Sequence, residues 1–153
     1  MADRMKLWLV AAMFLAMTGA GHAATPPADP CSLLQAADVS KTLGGSYGAP
    51  SKTVAPRPYA NTAEGTDCHY QGGGSDLLFR IYFDPSPGEA TSLFAKLKMF
   101  YSPPRPVPGL GDEAYLDPEH GLHVRKGNVR YFLSGPEDEK KLTALGVLVA
   151  GKV

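Results

Sequence analysis

The segment Gly44-Gly45-Ser46-Tyr47-Gly48 has the G-x-S-x-G spacing of a nucleophile elbow, in which a strained strand-to-helix turn presents a serine hydroxyl. Its context is reversed. It follows an apolar helical stretch and runs into a proline-rich connector, so the paired glycines read as a helix C-cap and turn. His120 and His123, with Asp117 and Glu119 nearby, are residue types that hold divalent metals. Residues three apart on a strand face opposite sides, so a shared metal would require a turn at Gly121. Solvated hairpin residues are the expectation, and no metal or cofactor is read from the chain. Asp112 and Glu113 are adjacent acids of the kind that divide general acid and base roles. Neighbours on an extended chain point apart, and Asp112 is expected to fix the turn Gly109-Leu110-Gly111 through backbone amides.

A wider constellation emerges from strand alternation, which sends successive side chains to opposite faces of a sheet. If Phe79, Ile81, Leu122 and Val124 face the core, then Arg80, Tyr82, His123 and Arg125 share the other side. His69 and Gln71 join them when Cys68 and Tyr70 point inward, and an inner set of Val129, Tyr131 and Leu133 adds Arg130 and Phe132. Guanidinium groups fork onto carboxylates and phosphates and stack on rings. An open face bearing Arg80, Tyr82, His123, Arg125, Arg130 and His69 therefore suits an anionic or sugar-like small molecule, or a protein partner rich in carboxylates. The alternative is a solvated face whose long side chains shield the backbone. The expected function is that of a small binding or interaction module. An envelope structural or inhibitor-like protein acting through surface shape is the alternative, and no nucleophile, base and orienting group assemble into an enzyme.

Three helices and about five strands must position these groups. Ser32-Leu33-Leu34-Gln35, Ser86-Pro87-Gly88-Glu89 and Ser134-Gly135-Pro136-Glu137 each place Ser three residues before Gln or Glu, the reciprocal capping pattern. The first helix is expected to reach Leu43, with a break near Asp38. The second carries Ala90, Leu93, Phe94, Leu97 and Phe100 at helical spacing. The third spans roughly 137–149 and packs through Leu142, Leu145 and Val149 or Leu148. Strands are expected at 66–71, 77–84, 113–117, 121–126 and 128–134. Gly72-Gly73-Gly74-Ser75-Asp76 and Lys126-Gly127-Asn128 supply hairpin turns. The order α-β-β-α-β-β-β-α, with hairpins in place of βαβ crossovers, predicts an α+β domain: an antiparallel sheet with three helices mainly on one face. Residues 49–58 and 102–108 read as proline-rich extended connectors. Pro103 and Pro106, although they match PxxP, belong to the second.

The first 23 residues decide the compartment. Arg4 and Lys6 precede an apolar run over 7–17, and Gly19-Ala20-Gly21-His22-Ala23-Ala24 offers cleavage after Ala23 or Ala24, the pattern of a secretory signal peptide. Removing 1–23 leaves 130 residues, with 24–30 as a flexible arm and 31–153 as one domain. Arg4, Lys6 and Asp3 leave with the leader, so 13 basic residues face 14 acidic ones, a balance that argues against a nucleic-acid binder. Both cysteines, Cys31 and Cys68, remain, and an even count in an oxidising compartment reads as one disulfide. Ala28-Asp29-Pro30 precedes Cys31 where a lipid-attachment site wants small apolar residues. Soluble periplasmic or secreted protein, without a stable membrane anchor, is the expectation.

Cys31-Ser32-Leu33-Leu34, Ala37-Asp38-Val39, Leu43-Gly44, Asp67-Cys68-His69-Tyr70, Pro108-Gly109-Leu110-Gly111-Asp112-Glu113-Ala114-Tyr115 and Leu122-His123-Val124-Arg125-Lys126-Gly127 carry a resemblance across most of the mature chain. Together they resemble a group of small exported bacterial proteins, many of them actinobacterial lipoproteins, whose domain carries no assigned activity. The Gly-Leu-Gly-Asp-x-Ala-Tyr segment is the most specific piece. The resemblance implies an exported α+β domain bridged from Cys31 to Cys68, and it brings no catalytic residues.

Overall fold

The computed structural model describes residues 23–153; residues 1–22, which carry the expected signal peptide, lie outside the described residues. Asp29 opens the ordered elements by accepting the Cys31 amide at 3.2 Å, which caps a 3-10 turn, Pro30–Leu33. Helix α1, Ala36–Leu43, follows. The break between them falls at Leu34-Gln35 and not at Asp38. Ser32 turns its hydroxyl back onto the Asp29 carbonyl and caps nothing downstream, while Leu34 is extended and fully buried. Gly44, at φ 83°, ends α1 in a conformation that side-chain-bearing residues rarely adopt.

Seven antiparallel strands then form one sheet: β1 Ser51–Ala55, β2 Gly65–Tyr70, β3 Leu77–Phe83, β4 Arg105–Pro106, β5 Glu113–Leu116, β6 Leu122–Lys126 and β7 Val129–Ser134. Their spatial order is β1-β2-β3-β7-β6-β5-β4. The five strands expected from sequence are present within about a residue at each end. The two additional strands, β1 and β4, lie inside the segments read as connectors. Both are edge strands with one paired side, which is where proline is tolerated and where a strand can lack an apolar face. The chain is α+β, with seven strands where about five were expected.

Between β3 and β4 runs helix α2, Pro87–Lys98, and after β7 comes α3, Glu139–Ala150. Ser86 caps α2 as its sequence predicts, accepting from the Glu89 amide at 3.1 Å. At α3 the cap is Asp138, which accepts from the Lys140 and Lys141 amides, so the helix begins two residues beyond the expected start. Phe100 was expected on the apolar stripe of α2 but is 75% exposed, because the helix stops at Lys98.

One face of the sheet is covered by α3 and the 3-10 turn, with α1 packed on α3. Its core gathers Cys68, Tyr70, Phe79, Ile81, Leu122, Val124, Tyr131 and Leu133 from the strands and Leu142, Leu145 and Val149 from α3. Each such Leu or Val contributes roughly 1.5–3 kcal/mol on burial. Gly146 lets α3 approach closely: a Cβ there would lie 2.8 Å from a Leu122 methyl, and the Tyr131 hydroxyl donates to its carbonyl at 2.6 Å. The Cys31–Cys68 disulfide ties the 3-10 turn to β2. Where the sequence predicts a flexible arm over 24–30, the chain is held at both ends. Ala24 exchanges two hydrogen bonds with buried Asn128, at 2.7 and 2.8 Å, and Asp29 caps the turn.

The helices do not share one face. Helix α2 packs against β6 and β7 from the opposite side, with Phe94 5.1 Å from Tyr115, ring to ring. Tyr82, Tyr115 and Phe132 give that second face enough apolar surface to receive the stripe of α2. The polar side of the sheet is thereby roofed over.

Candidate ligand cavity

Register, more than alternation alone, assembles the second face. Asp67, Arg80, Phe132, His123 and Tyr115 are successive cross-strand partners from β2 through β5 and form one row. Gly65, Tyr82, Arg130, Arg125 and Glu113 form the next. Five of the six expected binding residues thus stand on two adjacent rows. His69 shares the face but lies opposite Leu78, away from α2, where it lines a separate shallow depression with Ser51, Gln71 and Ser134.

Each cation on these rows has its own carboxylate. Arg80 donates from Nε and Nη2 to the two oxygens of Asp67 at 2.6 and 2.7 Å. Arg130 does the same to Asp84 at 2.5 and 2.9 Å, with side chains 3% and 0% exposed, and lies over the Tyr82 ring at 4.8 Å. Arg125 reaches Asp112 at 2.9 Å toward the rim and does not line the cavity described below. The face expected to be open instead carries internal ion pairs under a helix. The hydrogen bond from Arg80 to Asp67 raises the pKa of its guanidinium.

His123 is buried among aromatic rings. Tyr115 stacks on it at 4.6 Å, Phe132 lies 4.5 Å away, and Tyr101, from the segment after α2, lies 4.8 Å away. Its Nε2 faces Asp117 Oδ2 at 2.8 Å. Asp117 Oδ1 already accepts the Glu119 and Gly121 amides at 2.9 and 2.8 Å, and a carboxylate so placed accepts Nε2–H and fixes the tautomer. Burial lowers the His123 pKa against the opposing pull of Asp117, which favours the neutral ring. Nδ1 then carries the lone pair, and it takes no partner among the described residues.

The other sequence candidates are dispersed. His120 turns to Glu139 of α3 at 2.6 Å, on a different side from His123, and Arg105 also pairs with Glu139. The Arg105 hydrogen bond first, and His120 second, hold the Glu139 carboxyl down at about 2. Asp112 accepts the Gly127 amide at 2.7 Å, so it braces the β6–β7 turn where the 109–111 turn was expected. Glu113 pairs with Lys98 at 2.8 Å. Among the described residues no three His, Cys, Asp or Glu side chains converge to hold a metal, and no helix is long and apolar enough to cross a membrane.

Between α2 and the second face lies a cavity of about 210 Å³, partly open to solvent and mostly apolar. Phe94 and Leu97 of α2 form its roof with Tyr101; Tyr82 and Phe132 belong to its floor; Pro56 and Pro58 close one side. The Tyr82 hydroxyl donates to the Pro56 carbonyl at 2.7 Å and fixes that side. Arg57, Arg80, Arg130 and His123 are the basic side chains on its lining. Among the described residues Arg80 Nη1, a donor, and His123 Nδ1, an acceptor, are left without protein partners, as are Arg130 Nη1 and the Tyr101 hydroxyl. Sequence reasoning missed Phe94, Leu97 and Tyr101 as site residues because it placed α2 on the core face. Asp67 and Asp84 were also missed, although Asp67 has the parity of His69 and Asp84 that of Arg80.

Compared with known proteins, the chain matches no family model, no curated protein and no solved structure.

Proposed function

We propose that this chain is an exported binding module that holds a small molecule between α2 and the second face of the sheet. The observation that carries the reading is the cavity itself: aromatic walls on three elements, with a donor on Arg80 and an acceptor on His123 left uncommitted. A mostly apolar concavity with a few placed polar groups is the usual form of a small-ligand site. The disulfide supports an oxidising destination.

Native mass spectrometry of the protein purified from the cells that make it tests the reading. A reproducible added mass is expected, and it should be absent from Leu97→Trp, which fills the roof of the cavity. A bare chain in every preparation would count against a resident ligand. A second reading, capture of a protein partner, draws on Met99 and Phe100, which stand 81% and 75% exposed just beyond α2. A crosslinked partner lost on Met99→Ser with Phe100→Ser, with no added small mass, would favour it.

A further inference from the structure

We infer that the occupant of the α2 cavity is a small neutral aromatic alcohol of the phenol class. This rests on the reading of the cavity as a ligand site and goes further, to the chemistry of what fits there.

Size sets the first limit. An apolar cavity of roughly 150 Å³ takes up benzene, so about 210 Å³ holds one ring with small substituents. The walls set the second: Tyr82, Phe94, Tyr101 and Phe132 offer ring faces and edges on more than one side.

Charge excludes more than size does. Arg80 is neutralised by Asp67 and Arg130 by Asp84, and Arg57, at the margin, pairs with Glu64 at 2.9 Å. An anion entering the cavity would surrender its hydration without meeting an uncommitted cation, a net cost in a poorly hydrated site. A cation would meet the same cost, since Asp67 and Asp84 are already spent on the two guanidinium groups. A neutral ligand avoids both penalties.

The uncommitted atoms select among neutral ligands. Asp117 fixes Nε2–H of His123, so Nδ1 accepts; Arg80 has spent Nε and Nη2 on Asp67, so Nη1–H donates. A hydroxyl does both through one oxygen, donating to Nδ1 and accepting from Nη1. A carboxylate has only acceptors and would set its lone pairs against that of Nδ1. A bare hydrocarbon would leave both groups unsatisfied, which a site built to bond a hydroxyl discriminates against strongly.

The test uses three probes of one ring size, phenol, toluene and benzoate, titrated at pH 7.5 by calorimetry and aromatic NMR. Phenol is expected to shift the Phe94, Tyr101 and Phe132 resonances and to bind at least about tenfold more tightly than toluene or benzoate. Toluene binding as tightly, or benzoate more tightly, would overturn the hydroxyl assignment while leaving a small-molecule cavity standing. No binding by any of the three up to their solubility would overturn both readings. Leu97→Trp should abolish phenol binding, and undiminished binding to that variant would place phenol elsewhere and refute the proposal.

Discussion

Asp84→Asn removes one charge from a pair whose two side chains are 0% and 3% exposed, and leaves Arg130 buried against an amide. Breaking a buried pair from one side costs about 3–5 kcal/mol, because the remaining charge has lost its hydration and gained no partner. The Arg130 guanidinium keeps an uncharged amide oxygen and its contact with the Tyr82 ring at 4.8 Å, the latter worth about 0.5–2 kcal/mol and already present before the change. For a folded unit of about 130 residues with an unfolding entropy of about 2.1 cal/mol/K per residue, that loss lowers Tm by roughly 11–18 °C. The Lys98–Glu113 pair is the internal control, its side chains 35% and 37% exposed. Glu113→Gln should cost about 0–1 kcal/mol. The double variant Asp84→Asn with Arg130→Met should recover much of the loss, since removing both charges removes the orphan. Urea unfolding followed by circular dichroism measures these chains, and Arg130→Met alone completes the cycle that yields the coupling energy of the pair. Equal, small losses for Asp84→Asn and Glu113→Gln would show that burial of the Arg130–Asp84 pair does not govern its energetics, and the reasoning would fail.

Two further predictions follow from the core and from the titrating groups. Replacing Cys31 and Cys68 together by serine reopens a loop with sequence separation 37; the chain-entropy account expects a loss of about 4 kcal/mol in urea unfolding, and a loss under about 1 kcal/mol would refute it. His123 has its pKa lowered by burial, so below its unfolded value, near 6.5, the unfolded chain binds the proton that the folded chain refuses. Stability should therefore fall as pH drops from about 6.5 toward the lowered value, well before Glu139 contributes: that carboxyl, at about 2, adds stability above the ordinary Glu range that is lost only as pH falls toward 2. Urea midpoints measured from pH 8 to pH 5 check the sign, and stability that rises on acidification across this window would contradict it.

The arrangement of strands was legible because turn chemistry and alternation act locally. The alternation of β3, β6 and β7 placed Arg80, Tyr82, His123, Arg125 and Arg130 on one face, and the pairing register puts them there. Ser86 announced α2 because a cap is satisfied within four residues of itself. Edge strands β1 and β4 were not legible. Neither buries an alternating face, and the prolines flanking β1 and within β4 read as extended linker. The start of α1 was misread for a similar reason: Ser32 had two places for its hydroxyl, and the Asp29 carbonyl took it. His69 has the right parity and the wrong latitude, since alternation fixes the face of a residue and says nothing of its position along the strand.

Whether the second face lies open turns on the side of the sheet on which α2 returns, and a helix with one apolar stripe carries no label for that choice. The face itself holds the label. Asp84 has the parity of Arg80, and Asp67 has that of His69 and stands directly across from Arg80, so acids stand among the cations before any helix is placed. A face meant for solvent has no need to neutralise its own arginines, because water screens exposed charge and surface pairs contribute little. A face meant for burial must do so, since an unpaired charge beneath a helix costs several kcal/mol. Internal pairing of Arg80, Arg130 and His123 with Asp67, Asp84 and Asp117 is what a roofed polar face requires. Once those pairs are counted, the donors left on the cavity-lining residues are Arg80 Nη1, Arg130 Nη1 and the Tyr101 hydroxyl, the imidazole acceptor is His123 Nδ1, and the rest of the recognition chemistry lies in the rings around them.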